Sequence, residues 1–197
     1  MRLIALSAAL LLPLSLNPAA AVGDGKAIGV PSAPVMIEVF SDYQCPGCKT
    51  LHEQTLRSLA DDYARRGKVY LIHREFPLPG HAYSRKAAYL ACAAGRIGKY
   101  EQVAGALFAK QAAWSVSGKV EEAALGVLTS AEAAKVLALS KDPSIAAEVN
   151  KDLALGQGAN INQTPTMILT HRLKQYPLTG AVNYSLLRRF IDELLSK

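Results

Sequence analysis

The chain has 197 residues, of which 50% are hydrophobic and 19% are charged, and its formal net charge is +6 at pH 7. This composition excludes a disordered chain and suffices for one domain with a sizeable core, or for a small domain that carries an insertion. The Lys and Arg residues are scattered, and no basic stripe with interleaved aromatic residues occurs, which argues against nucleic-acid binding.

The N-terminus has the pattern of a secretory signal peptide. Residues 1–21 combine one positive charge, an apolar run from Leu3 to Leu16, and small residues suited to signal-peptidase cleavage near Ala21. The apolar run is interrupted by Pro13 and is shorter than the roughly 20 residues of a membrane span, although a retained anchor is the alternative. We therefore expect an exported protein in the periplasm or another extracytoplasmic space.

The following residues predict the first part of an α/β domain. Residues 22–34 are rich in Gly and Pro and predict an N-terminal arm. The apolar run VMIEVF at 35–40 predicts a buried strand, helical spacing of leucines predicts a helix over 46–66, and KVYLIHREF at 68–76 predicts a second strand. We assign residues 35–80 to this part of the domain.

The middle of the chain predicts an inserted helical domain. Residues 81–158 are rich in Ala, lack strand character and predict three or four helices. A further strand is predicted at 166–170, and the polar sequence HRLKQYP then predicts a turn that leads to LTGAV. An amphipathic helix is predicted over 183–195, so that residues 159–197 complete the domain begun by the first two strands.

Two cysteines lie directly after the first predicted strand, in the sequence Cys45-Pro46-Gly47-Cys48. Proline suits the first position of a helix, so Cys45 is expected to be the N-cap residue, with its sulfur exposed at the positive end of the helix dipole. The pKa of this thiol should then fall below the free value of about 8.5. Cys48 is expected one turn further along, shielded and close enough to form a disulfide.

This spacing favours a redox-active pair over two other uses of cysteine. A zinc site usually has four ligands, and a structural disulfide across two residues would close too small a loop to constrain the unfolded chain. Gly47 adds neither charge nor a side-chain donor, so we expect an oxidant of intermediate strength within the span of roughly −270 to −120 mV. A metal set of Cys45, Cys48 and His52 is the disfavoured alternative, with His52 expected to be a solvated surface residue.

A second feature is the sequence NQTPTMIL, in which Pro165 comes directly before a predicted strand. Proline cannot donate to a strand ladder there, and if its peptide bond is cis it makes a fixed corner. Such a corner could lie against the cysteine pair and leave the backbone of Thr164 free to pair with an extended substrate.

Four segments in this order resemble the DsbA-like thiol–disulfide oxidoreductases, a thioredoxin-fold family with an inserted helical domain: SAPVMIEVFSDYQCPGC, REFPLPGHAYSRKAAYLACAAGRIGKY, TPTMIL and LTGAVNYSLLRRFIDELL. The resemblance implies an α/β, thioredoxin-like fold whose helical insertion lies between the second strand and the cis-proline strand. It also implies that Cys45 is the substrate-reactive thiol and Cys48 the resolving one, and that Thr164 and Pro165 form the substrate-docking corner.

The family's activity suggests partners as well. We expect the protein, as a monomer, to donate its disulfide to reduced or folding exported proteins, with an apolar rim near Tyr43 and Pro46 contacting them. A quinone-linked membrane oxidase would restore the disulfide, and no bound cofactor or metal is needed. The alternatives are a reductase or isomerase with the same fold, and a module that handles metal through its cysteines.

Several residues depart from the family pattern or have a plain structural explanation. Relatives carry a buried acid six residues before the first cysteine, where this chain has Val39, and Glu38 falls on the opposite strand face. Either a β-bulge shifts the register or water carries the proton. Gln163 stands where glycine is common. Cys92 is expected to be a buried, inert thiol, and three other side chains are expected to be structural: His73, His81 and Trp114.

Overall fold

The computed structural model describes residues 25–197, so the predicted signal peptide lies outside the described residues. A five-stranded mixed sheet has the order β1-β3-β2-β4-β5. The strands are β1 (Ala27–Ile28), β2 (Val35–Ser41), β3 (Val69–Glu75), β4 (Thr166–His171) and β5 (Lys174–Thr179). The central pair β2 and β3 is parallel, and every other pairing is antiparallel.

Helix α1 connects the parallel strands β2 and β3 and confirms the helix predicted there. It covers residues 46–64 and contains two α-helical and two π-helical stretches: Pro46–Leu51, His52–Leu56, Arg57–Leu59 and Ala60–Ala64. Its leucines are buried against Val35, Ile37 and Val39 of β2. The helix ends shortly before Gly67, whose φ of +72° turns the chain toward β3.

Six helices lie between β3 and β4, where the sequence predicted three or four. They are α2 (Ser84–Gly95), α3 (Tyr100–Ala109), α4 (Gln111–Ser117), α5 (Val120–Leu125), α6 (Ser130–Leu139) and α7 (Pro143–Gly158). Residues 84–158 are called the helical segment below. A single residue, Lys110, separates α3 from α4, and an Ala-rich sequence gives no signal for so short a break. The start of α6 does have a signal in the sequence, because Thr129 and Glu132 form a capping box.

The last strand lies mostly within the sequence that was predicted to be a turn. Arg172 and Leu173 have φ values of 47° and 67°, and together they form the turn between β4 and β5. Strand β5 therefore begins at Lys174, inside the sequence predicted to be a turn, and that part of the prediction is wrong. Because β5 is at the edge of the sheet, it tolerates exposed polar residues and Pro177. Helix α8 (Tyr184–Leu195) follows, with Asn183 as its N-cap.

The predicted N-terminal arm is part of the fold, because its residues form β1 against β3. Lys26 is 1% exposed, and its Nζ lies 2.5 Å from Asp152 Oδ2 and 2.8 Å from Glu148 Oε1 on α7. This ion-pair cluster joins the edge of the sheet to the helical segment. Among residues 25–197, no helix is both long and apolar enough to cross a membrane.

Candidate active site

The end of β2 and the start of α1 place the two cysteines as predicted. Cys45 has an extended backbone, with φ −73° and ψ 121°, and is the N-cap residue of α1, while Pro46 occupies its first turn. The Cys45 carbonyl accepts hydrogen bonds from the N–H groups of Cys48 at 3.1 Å and Lys49 at 3.2 Å. Cys48 is 1% exposed, and all three cysteines of the chain are free thiols in this structure.

The loop before β4 lies against the reactive end of α1. The Thr164–Pro165 peptide bond is cis, and the Cys45 thiol donates a 3.3 Å hydrogen bond to the carbonyl of Thr164. Gly47 allows this close approach, because a Cβ at that position would lie 3.1 Å from Pro165 Cδ. Cys45 is 9% exposed, less than the sequence suggested, since the cis-proline loop covers much of its sulfur.

The two thiols have opposite pKa shifts. The pKa of Cys45 is lowered to about 5, chiefly by its hydrogen bond with the Cys48 thiol; burial opposes this effect, and the Thr164 side chain and the N–H groups of Cys48 and Gly47 lower the pKa further. Among residues 25–197 the buried Thr164 hydroxyl has no hydrogen-bond partner in the dithiol form, so it is free to donate to a thiolate. The helix N-terminus therefore contributes, but the neighbouring thiol contributes more.

Burial is the main reason that the pKa of Cys48 is raised, and its hydrogen bond to Cys45 adds to the effect. The backbone N–H of Asp42 donates a 3.4 Å hydrogen bond to Cys48 Sγ. At neutral pH the pair thus holds one thiolate and one thiol. This arrangement supplies a stable anion at Cys45 and keeps the proton on the buried sulfur.

Asp42 fixes the loop that leads into the cysteines. Its carboxylate is buried and accepts hydrogen bonds from four donors: the N–H groups of Leu78 and Gln44, Nδ1 of His81, and Oγ of Ser84. Its carbonyl accepts the N–H of Cys45 at 3.1 Å. The loop is therefore tied to the start of the helical segment on one side and to the thiols on the other.

Only one of the two residues predicted to form an apolar rim, Tyr43 and Pro46, is exposed. Pro46 is exposed, but Tyr43 is 3% exposed, so the prediction of a rim at Tyr43 is wrong. The Tyr43 ring packs on Phe108 with 4.9 Å between centroids, and its hydroxyl lies 3.4 Å from Glu75 Oε1 and 3.1 Å from the Tyr100 hydroxyl. The helical segment covers the tyrosine from above.

Glu75 is a buried acid that the sequence analysis did not single out. It ends β3 directly beside Ser41, the last residue of β2 in the parallel register, and it is 2% exposed. Burial raises the pKa of Glu75 to about 8, although the charge of Lys26 and a hydrogen bond from Tyr100 lower it in part. The sequence did contain a signal for this residue, because an acid near the end of a predicted strand is followed by Phe76. Its burial could not be predicted, because the burial depends on the helical segment.

The bulge considered for Glu38 does not occur. The pairing of β2 with β3 and β4 is continuous from Val35 to Phe40, and Val39 is fully buried. Glu38 points to the opposite face and accepts hydrogen bonds from Arg74 at 2.7 and 2.9 Å. Glu38 therefore forms an ion pair with Arg74 on the other face of the sheet, away from the cysteines.

Three of the four histidines were considered in the sequence analysis, and each occupies a different environment. His52 is not the solvated surface residue that was predicted: it is partly buried, its ring lies 4.8 Å from the Phe108 centroid, and burial lowers its pKa to about 4. His73 is buried against Tyr100, and burial lowers its pKa to about 3. His81 binds Asp42 as described above. Within residues 25–197, no group of three or more His, Cys, Asp or Glu side chains is arranged to hold a metal ion.

Cys92 and Trp114 lie where the sequence suggested. Cys92 is 0% exposed within α2, and burial raises its pKa. Trp114 is 1% exposed and donates from Nε1 to the carbonyl of Leu107 at 2.7 Å. The residue that sequence reasoning missed on this side is Gln111, whose side chain reaches the cysteine loop.

Comparison with known proteins agrees with this geometry. A family model described as Thioredoxin matches residues 21–193. A thioredoxin-like oxidoreductase from Silicibacter pomeroyi is 27% identical, with a TM-score of 0.71 over 87% of this chain and 92% of that chain. The α-DsbA1 of Wolbachia pipientis is 22% identical, with a TM-score of 0.70 over 86% of this chain and 89% of that chain.

A curated relative is similar over a shorter stretch. A probable disulfide bond formation protein D from Bacillus cereus is 36% identical over 55 residues, which are 28% of this chain and 26% of that protein. The match thus spans about a quarter of that relative's length. The family model covers most of the chain, and the DsbA-like fold expected from the sequence is present. The chain belongs to the thioredoxin family, and its fold is that of the DsbA-type proteins in that family.

Proposed function

We propose that this protein is an exported thiol–disulfide oxidoreductase that donates the Cys45–Cys48 disulfide to folding secreted proteins. The single observation that carries the proposal is the contrast between the two thiols: the pKa of Cys45 is about 5, whereas that of buried Cys48 is raised. A low thiol pKa stabilises the reduced form of such a pair, and so makes its disulfide an oxidant.

The exchange proceeds in two balanced steps. A substrate thiolate attacks Cys45 Sγ, the bond between Cys45 and Cys48 breaks, and Cys48 leaves as a thiolate that takes up a proton. A second substrate thiolate then attacks the substrate sulfur of the mixed disulfide, and Cys45 leaves as a stable thiolate. Two electrons pass from the substrate dithiol to the protein, and the substrate gains a disulfide.

The cis-proline loop is the proposed docking site for the substrate chain. Thr164 and Pro165 lie directly beside Cys45, and a substrate segment that pairs with the Thr164 backbone would bring its thiol to the same place. Pro46 is exposed at the mouth of the site and offers apolar contact. Tyr43 has no part in this contact because it is buried.

The cellular setting is proposed from the sequence and the names of the relatives. A signal peptide over residues 1–21 would deliver the chain to an extracytoplasmic space, where disulfides persist. The chain would comprise an arm at 22–34, a thioredoxin-like domain at 35–80 and 159–197, and an inserted helical domain at 81–158. Re-oxidation of the dithiol by a quinone-linked membrane protein would complete each cycle, with the oxidoreductase acting as a monomer.

Refolding of reduced ribonuclease tests the proposal. The oxidised protein should restore ribonuclease activity, and Cys45→Ser should abolish this effect. The equilibrium with glutathione should give a potential between those of cytosolic reductants and the strongest oxidants of this class. A potential as low as that of the reductants, with rapid insulin reduction, would support the reductase alternative. Stoichiometric metal bound by the reduced protein without exchange activity would support the metal-handling alternative.

A further inference from the structure

The side chain of Gln111 reaches from the helical segment into the loop that carries Cys45. Its Nε2 donates hydrogen bonds to the carbonyl oxygens of Tyr43 at 2.7 Å and Cys45 at 3.0 Å. Gln111 is the first residue of α4 and is 6% exposed. Only an amide nitrogen can satisfy both contacts, because the opposite orientation would place Oε1 against two carbonyl oxygens.

The Cys45 carbonyl is a junction between α1 and the helical segment. It accepts the N–H groups of Cys48 and Lys49, which begin the helix, and the amide of Gln111 approaches as a third donor. The direction of this carbonyl fixes the peptide plane after Cys45. It therefore helps to hold the N-cap geometry in which the sulfur lies near the N–H groups of Gly47 and Cys48, which favour its ionised form.

Gln111 is held in place by the packing and hydrogen bonds of helices α3 and α4. One turn along α4, the ring of Trp114 is buried, and its Nε1 bonds the Leu107 carbonyl at 2.7 Å. At the end of α3, the carbonyl of Ala109 accepts a 3.4 Å hydrogen bond from Lys49 Nζ of α1. The donor is thus presented to the cysteine loop by packed helices and not by a free surface side chain.

We infer that Gln111 is a positioning residue through which the helical segment sets the ionisation of Cys45. The inference rests on the proposed function, in which Cys45 is the reactive thiol. Gln111 acts in two ways: it holds the N-cap carbonyl in place, and it directs the positive end of its amide dipole toward the cysteine loop. The helical segment is then part of the redox site as well as its cover.

The test compares Gln111→Ala and Gln111→Glu with the same changes at Gln102, which donates to the Val127 carbonyl within the helical segment, away from the cysteines. The readouts are the ultraviolet absorbance of the thiolate against pH and the alkylation rate of Cys45, assigned by mass spectrometry. Below the titration midpoint, the thiolate fraction of Cys45 should fall about threefold in Gln111→Ala and about tenfold in Gln111→Glu. The Gln102 variants should titrate like the wild type.

Thermal unfolding separates positioning from simple support. If the Gln111 variants melt earlier but titrate like the wild type, Gln111 only holds the two parts together, and the inference is overturned. If Gln111→Glu does not fold, Gln111→Ala alone decides, because it introduces no charge. A wild-type Cys45 that titrates like free cysteine would instead overturn the proposed function, whatever the variants do.

Discussion

The hydroxyl of Tyr100 donates a 2.8 Å hydrogen bond to Oε1 of Glu75, and both residues are buried beneath the cysteine loop. This pairing joins α3 to the end of β3. It places an acid whose pKa is raised to about 8 between the sheet and the helical segment, and the free energy of unfolding should depend on pH as a result.

Replacing Glu75 should remove its contribution to the pH dependence of the free energy of unfolding. Its folded pKa lies above the ordinary value of 4.5, so its contribution to stability is fully present below about pH 4.5 and is lost as the pH rises through about 8. Urea unfolding of Glu75→Gln should therefore show a stability gain over the wild type that grows between these pH values.

The matched control for this prediction is Glu121→Gln. The pKa of Glu121 is lowered, with burial opposing the hydrogen bond and charge of Lys86. Its contribution is already present at neutral pH, so no gain should develop as the pH rises from about 5 to 8. A parallel pH profile for Glu75→Gln and the wild type would contradict the raised pKa of Glu75.

Lys26→Met should destabilise the protein strongly. The change removes the buried cation that lies 2.5 Å from Asp152 and 2.8 Å from Glu148, and removing one partner of a buried ion pair costs up to about 3–5 kcal/mol. Arg74 still pairs with Asp152 and Arg96 with Glu148, so the loss should lie toward the lower end of that range. Lys197→Met is the control, because its partner Glu193 is exposed and solvent screens the pair, so the free energy of unfolding should hardly change. Equal unfolding free energies of the two variants would refute the role given to Lys26.

Two glycines of α7 offer a direct test of packing against the sheet. A Cβ on Gly156 would lie 2.5 Å from Phe76 and 3.0 Å from Phe40, whereas one on Gly158 would meet no atom of the described part of the chain within 4 Å. Gly156→Ala should lower the free energy of unfolding by about 1–3 kcal/mol. Gly158→Ala should leave it unchanged or raise it by about 0.5 kcal/mol. The prediction fails if both variants melt at the same temperature.

Gly47→Ala should impair exchange more than stability. The new Cβ would press on Pro165 Cδ at 3.1 Å and lie 3.7 Å from Cys45 Sγ, so the cis-proline loop must move away by a few tenths of an ångström. Ribonuclease refolding should slow several-fold, while the free energy of unfolding changes by less than about 1 kcal/mol. Unaltered refolding rates would mean that the substrate does not need this close approach.

Sequence reasoning was strongest where the signal was local. The run from Val35 to Phe40, the leucines of α1 and the proline after Cys45 each indicated their structure within a few residues, and the structure confirms them. Strand β5 was missed because an edge strand need not be apolar on either side. The one-residue break at Lys110 was missed because alanine suits the helices on both sides of it.

The residues of the site that the sequence analysis missed or misjudged have one feature in common. Gln111 contacts Tyr43 and Cys45, which precede it by 68 and 66 positions in the sequence. Glu75 is buried by Tyr43 and Tyr100, which belong to other parts of the fold. Such contacts are created by tertiary packing and have no periodicity in the sequence. The burial of Tyr43 was misjudged for the same reason, since the covering Phe108 belongs to α3.

The position of β2 between β3 and β4 has a consequence for biosynthesis. Its first neighbour follows within about 30 residues, but its second begins at Thr166, after the whole helical segment has emerged. Until then, the most apolar strand of the sheet has an open edge that can pair with another chain. Nascent or truncated chains that stop before Thr166 should therefore aggregate, and a holding chaperone would protect them until β4 has been made.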